Sequence, residues 1–338
     1  MRRTLPQLLL VLLTCVGPAG AQIAMPDGVA LSPFPVSLTP AAYQTFADGD
    51  GGVWAVFQEA QPGSGLYAQH INQDGGYSPG FSAAARLLAK SGTQVNSMWS
   101  APDGVGGAVI IWFGSNPKDT ASKVVALRLL RFDAQGDRPP SYPDTGIVVS
   151  SIAQAAMVVG DGLGGCYVAW KELKNVSNPD IVAQHYDASG VPLWTPLGSP
   201  SGRNVCAVVG LQDLRAIQSD GAGGAYVVWA DSRVQSSVPL YAMRLLPSGV
   251  AGAPWTTNGV RISSITAGIR IVGSGASPTG GLWLAWRDNG VPSQFTGQHV
   301  DANANFVWGA SGALVATVMP AQAEFVAASS GDAFVTWG

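Results

Sequence analysis

Charge is scarce in this chain. Only 12% of its 338 residues are Asp, Glu, Lys or Arg, about half the usual share of roughly 25%. The formal net charge is −3 and no face is basic, which argues against nucleic acid as a partner. Cysteine is nearly absent, with three residues, Cys15, Cys166 and Cys206, too few for a disulfide framework. No stretch shows the 3.6-residue apolar period of an amphipathic helix. No segment after the first few tens of residues is long and apolar enough to cross a bilayer as a helix. There is no Gly-x-Ser-x-Gly elbow, no His-Glu-x-x-His, and no Cys–His pairing with a reason to be adjacent. These gaps leave no catalytic set, and no metal or cofactor is predicted.

What the chain does have is glycine (43), proline (23) and apolar residues (47%), a mixture suited to short strands joined by tight turns. One pattern organises it. Asp-Gly-x-Gly-Gly is followed, five residues after its last glycine, by an aromatic. It reads Asp48–Gly52 with Phe57, Asp103–Gly107 with Trp112, Asp161–Gly165 with Trp170, and Asp220–Gly224 with Trp229. Gly280-Gly281 with Trp286 and a degenerate Gly331-Asp332 with Trp337 complete the series. Taking Gly52, Gly107, Gly165, Gly224, Gly281 and Asp332 as equivalent, successive copies lie 51 to 59 residues apart, which marks an array of one small unit.

Each unit parses into four strands. In the fourth they are expected near 213–218, 224–230, 239–246 and 259–263, separated by turns whose Gly and Asn supply positive φ. The second strand, Ala225-Tyr226-Val227-Val228-Trp229, is apolar on both faces and must be covered on both. The predicted fold class is therefore all-β, a β-propeller of about six four-stranded blades, with the large aromatic wedged between neighbouring sheets. Only two strands of the last blade are expected. Residues 28–38 could add a fourth strand to it, which leaves two explanations open: an incomplete native sheet, or a chain that is a piece of a longer one. Cys166 and Cys206 fall on second and fourth strands with a third strand between them, about 9–10 Å apart. That is too far for a disulfide, so two buried free thiols are predicted.

The N-terminus reads as an export signal over residues 1–21. Met1-Arg2-Arg3 is its positive region, Leu8 to Val16 its apolar run, and Ala19-Gly20-Ala21 an Ala-x-Ala cleavage site. Residues 22–338 then form the repeat domain of an exported protein, in the periplasm, at the cell surface or secreted. Lipidation at Cys15 is disfavoured by Thr14 before it.

The motifs at 220–233 (Asp-Gly-Ala-Gly-Gly-Ala-Tyr-Val-Val-Trp-Ala-Asp-Ser-Arg) and 181–194 (Ile-Val-Ala-Gln-His-Tyr-Asp-Ala-Ser-Gly-Val-Pro-Leu-Trp) resemble the tandem β-propeller repeats of proteins exported by bacteria. The resemblance spans about residues 28–338. It implies the propeller fold and an extracellular or surface setting, and little about activity. Kelch repeats and sialidase Asp-boxes fit less well; Ser330–Trp337 misses the latter at Phe334.

Repetition also ranks the candidate residues. His70, His185 and His299 share one repeat position, each beside a glutamine (Gln69, Gln184, Gln298), with Arg128 and Arg244 in that place in the second and fourth units. Lying on different sheets, the histidines cannot share a metal ion with bonds near 2 Å. The aspartates of the glycine turns are explained by the turn itself. Two residues after the aromatic stand Glu59, Glu172, Asp231 and Asp288, with Gly114 as the exception. They are either local turn acceptors or a ring of acceptors for a sugar or cation. The first strands line the hub and are the best place for a ligand. There, Asn96, Gln154, Asp213 and Arg270 stand ten residues before the glycine pair, and Arg215 follows Asp213 on the same face.

The reading that results is a non-catalytic exported binding module, its partner a glycan, a small anion or a surface protein. Two alternatives remain: a polysaccharide-active propeller enzyme using rim carboxylates, and a structural array within a larger surface protein.

Overall fold

The computed structural model describes residues 43–337 apart from 59–64, 83, 91–94, 96, 116–124, 174–177, 195–201, 234–237, 264–268, 289–293, 318–322 and 328–332. The described residues form 22 strands and no helix. Five sheets each hold four antiparallel strands in sequence order, and a sixth holds Ala323–Ala327 paired with Ala333–Trp337. The first strands of successive sheets touch one another in chain order, from Tyr43–Ala47 through Met98–Pro102, Ala153–Gly160, Gln212–Ser219 and Ile269–Ala276 to Ala323–Ala327. Sheets that meet along their first strands radiate from a common hub. The protein is a β-propeller. The strand that 28–38 was expected to add lies outside the described residues.

Blade four shows how the sequence builds a sheet. Its strands are Gln212–Ser219, Ala225–Asp231, Leu240–Leu245 and Val260–Arg261. All seven residues of the second are buried, as its two-faced apolar run requires. Trp229 at its end is fully buried and packs with Tyr167, Ala169 and Ile181 of blade three. Trp170 likewise packs in a cluster shared with blade two, and Trp286 in one shared with blade four. An aromatic side chain of on the order of 200 Å², at about 25 cal/mol per Å², contributes ~5 kcal/mol of transfer free energy before entropy is subtracted. These wedges join each sheet to the one before it.

Two further features fix the wedges. The residue before the fourth strand is glycine where a tryptophan tip lies beneath it. Gly259 has φ +78°, and a Cβ there would stand 2.3 Å from the Trp229 ring. Gly146 over Trp112 and Gly202 over Trp170 repeat the arrangement. In addition, Phe81, Tyr142 and Trp194, between third and fourth strands, lie against Gly136, Gly190 and Gly249 of the next blade's hairpin. Trp194 Nε1 donates to the Pro247 carbonyl across that boundary at 3.0 Å. Cys166 and Cys206 are both buried and free, separated by the third strand of blade three. Burial raises both thiols, Cys206 to about 11.

Candidate functional site

The strand directions divide the propeller into two rims. One carries the Asp-Gly-x-Gly-Gly turns and the hairpins after the third strands. The other carries the loops between second and third strands and the links from blade to blade.

On the turn rim the aspartates that open the glycine turns of blades one to four are used by the fold. Asp220 Oδ1 accepts the N–H groups of Ala222 and Gly224, both at 2.8 Å. Asp48, Asp103 and Asp161 repeat this at the same spacing. The second oxygen takes a donor from the third strand. Arg131 donates to Asp103 and Arg244 to Asp220, each at 2.8 Å, while His70 meets Asp48 and His185 meets Asp161, each at 2.9 Å. The repeat position shared by the histidines is thus Arg131 in blade two, not Arg128 as counted along the sequence. Arg131 lies opposite Val109 as Arg244 lies opposite Tyr226, whereas Arg128 lies opposite Trp112 and donates to the Gly114 and Thr145 carbonyls. Unequal loops before the third strand defeat simple counting. His70 and His185 are buried, and His299 is partly buried. In blade five Ser277 replaces the aspartate, and His299 Nε2 falls back on the Gly280 carbonyl at 3.4 Å.

Burial alone would raise the carboxyls of Asp48 and Asp161. The histidine bond and the two turn N–H groups together outweigh it and hold both below 3.8. The adjacent glutamines also have work within the fold. Gln184 Oε1 accepts the N–H groups of His185 and Trp194, and Gln298 Oε1 those of His299 and Trp308.

The loop rim is less uniform. Asp231 and Glu172 end their second strands and are buried. Asp231 Oδ2 accepts the Trp229 indole N–H at 2.8 Å and Arg233 Nη2 at 2.6 Å, and Cys206 Sγ stands 3.6 Å away. Burial opposes its charge, but Arg233 and Trp229 outweigh that and lower its carboxyl. Glu172 Oε1 lies 3.5 Å from the Trp170 indole nitrogen. The acid two residues after the aromatic therefore serves the wedge in these two blades. Trp112, with Gly114 in that position, has no indole acceptor among the described residues. Glu59 lies outside the described residues, as does the Asp288 side chain.

Among the hub candidates, Asp213 and Arg270 occupy one register position, opposite Ala230 and Arg287 at the ends of the second strands. Gln154 does not join them. A bulge in blade three places Ala155 at that level and Gln154 beside it. Asn96 lies outside the described residues. Arg215 is itself the extra residue of a bulge and pairs with Asp213 at 2.8 Å, both partly exposed. Arg270 is exposed and has no hydrogen bond or ion pair among the described residues. Farther along the hub, Gln44 accepts from Ser100 and Gln218 donates to Ser274, tying neighbouring first strands.

No family model matches the chain, and no curated protein does. Solved structures are similar to it at low identity. A protein of unknown function from Dyadobacter fermentans is 11% identical with a TM-score of 0.47, over 89% of this chain and 95% of that one. A fucose-specific lectin from Aleuria aurantia is 12% identical with a TM-score of 0.47, over 90% of each chain. An endo-arabinase from Bacteroides thetaiotaomicron is 14% identical with a TM-score of 0.38, over 79% of this chain and 96% of that one.

Proposed function

We propose that this protein is a non-catalytic β-propeller binding module, exported through the signal at residues 1–21, that holds a glycan or small anion at the loop-rim mouth of its hub. The observation that carries the reading is Arg270. It is an exposed guanidinium with no partner among the described residues, on a strand next to the one that bears the Asp213–Arg215 pair. A guanidinium left free offers forked donors to a carboxylate, phosphate or vicinal hydroxyls. Asp213 and Arg215, partly exposed and already paired, supply an acceptor and a further cation at the same end of the hub. Glu172 and Asp231 contribute by holding the tryptophan wedges beneath that rim.

The solved structures of similar fold include a lectin and glycoside-cleaving enzymes, so chain path does not choose between binding and catalysis. Among the described residues, the aspartates with displaced pKa are Asp48, Asp161, Asp231 and Asp301, all displaced downward. A general acid needs the opposite. A glycan and small-anion array, run on the full chain and on Arg270→Ala, tests the site. Loss of the bound class on the variant is expected; identical profiles would remove Arg270 from the site. Sequencing the N-terminus of protein recovered after export is expected to start at Gln22.

A further inference from the structure

The clefts between blades one and two and between blades three and four are built from equivalent positions. In each, the fourth strand of the earlier blade opens on an arginine. Arg86 lies opposite Ala68, and Arg203 opposite Ala183. The later blade faces it with the hairpin after its third strand, Gly136-Asp137 in one cleft and Gly249-Val250 in the other. The equivalence of those hairpins is fixed by their hydrogen bonds: Asp133 N to the Asp137 carbonyl, Leu246 N to the Val250 carbonyl.

The clefts differ in what meets the arginine. Asp137 and the Gln135 carbonyl accept from the Arg86 guanidinium, and that cleft measures about 270 Å³. The Val250 side chain offers no acceptor. Arg203 Nε is buried without an acceptor, the guanidinium has no hydrogen bond or ion pair among the described residues, and the cleft widens to about 560 Å³. In blades two and four the corresponding position is Ile147 or Val260. An arginine therefore heads the fourth strand in two of these blades, and among the described residues only one of the two is answered.

We propose that the cleft between blades three and four binds a carboxylated sugar, whose carboxylate takes on Arg203 the place that Asp137 takes on Arg86. The volume falls in the range of small-molecule sites. Met243 and Leu245 give an apolar wall, and Asn204 and Thr257 are polar groups at its edge. The cleft's own acid, Glu172, stands three residues farther along its sheet than the level of Arg203, roughly 10 Å away along the strand.

The site is separate from the hub mouth, and its test keeps the two apart. The full chain is titrated with D-glucuronate and with D-glucose by calorimetry, alongside Val250→Asp, Arg203→Gln and Arg270→Ala. Val250 is half exposed, so Val250→Asp restores the internal partner without disturbing the core; an unfolding midpoint no lower than that of the parent chain verifies this. Glucuronate is expected to bind at one cleft site with glucose far weaker, and Val250→Asp and Arg203→Gln to weaken glucuronate by about tenfold or more. Any glucuronate taken up at the hub mouth is the part lost in Arg270→Ala and kept in Arg203→Gln. Absence of glucuronate binding, equal binding of glucose, indifference to Val250→Asp, or loss confined to Arg270→Ala would each overturn the proposal.

Discussion

Blades one and three answer the same structural demand differently from blades two and four. All four place an aspartate in the glycine turn, and in all four its Oδ1 holds two turn N–H groups. In blades one and three the donor to Oδ2 is a histidine preceded by glutamine, and an arginine heads the fourth strand. In blades two and four the donor is an arginine preceded by Leu130 or Met243, and Ile147 or Val260 heads the fourth strand. The repeat specifies a donor aimed at one oxygen and leaves open which residue supplies it. At these positions blades one and three therefore carry more polar groups than blades two and four. A guanidinium remains charged at all ordinary pH. A histidine can serve as a neutral donor, and at blade one both ring nitrogens face acceptors, Asp48 and the Ala134 carbonyl.

Breaking the donor should separate the two kinds most sharply. Arg244→Met leaves Asp220, whose side chain is 0% exposed, without its cation, and about 3–5 kcal/mol of stability is expected to go. His185→Met removes one hydrogen bond from a carboxylate that keeps its turn N–H groups, at about 1–3 kcal/mol. Urea unfolding of both variants decides it; equal losses would mean that the guanidinium and the imidazole are interchangeable after all.

Acid sharpens the contrast next. The carboxyls of Asp48 and Asp161 are depressed in the folded protein. Their contribution is therefore fully present above the ordinary value of 3.8 and is lost as pH falls through the lower folded value. Asp161→Asn is expected to cost less at pH 3 than at pH 7. It should also reduce the proton uptake on unfolding by up to about one proton in that acid window, where each proton is worth about 1.4 kcal/mol per pH unit. Stability measured against pH gives the slope, and an unchanged slope would count against the pair.

The smallest effect belongs to the outer arginines. Asp137→Val should cost at most about 1 kcal/mol, and Val250→Asp should gain a similar amount, both shrinking in high salt, because these pairs are partly exposed. Thermal unfolding at two salt concentrations reads both.

Much of this was legible in the residues. The strands of blade four lie within two residues of their expected ends, because Gly, Asn and Asp mark each turn and the second strand is apolar on both faces. Cys166 and Cys206 are free for the reason their strand positions gave. The wedging tryptophans followed from the period alone. What went unread depends on register. Counting back from the glycines put Gln154 level with Asp213, but a bulge shifts it by one. Counting forward put Arg128 where Arg131 stands. The aromatics Phe81, Tyr142 and Trp194 each have a local cue, a bulky ring before the fourth strand. Their target, a glycine in the next blade, is 48 to 55 residues away in sequence.

The sequence by itself determined the unit, its turns and its apolar strands, since these follow from local φ preference and from the side-chain period of a strand. Tertiary structure alone decided which charges are answered. Asp103 and Arg131, or Arg86 and Asp137, meet across pairing registers and blade boundaries, and no local rule encodes that distance. Arg203 and Arg270 look no different from their paired counterparts along the chain. They stand apart only once neighbouring strands and hairpins are set beside them.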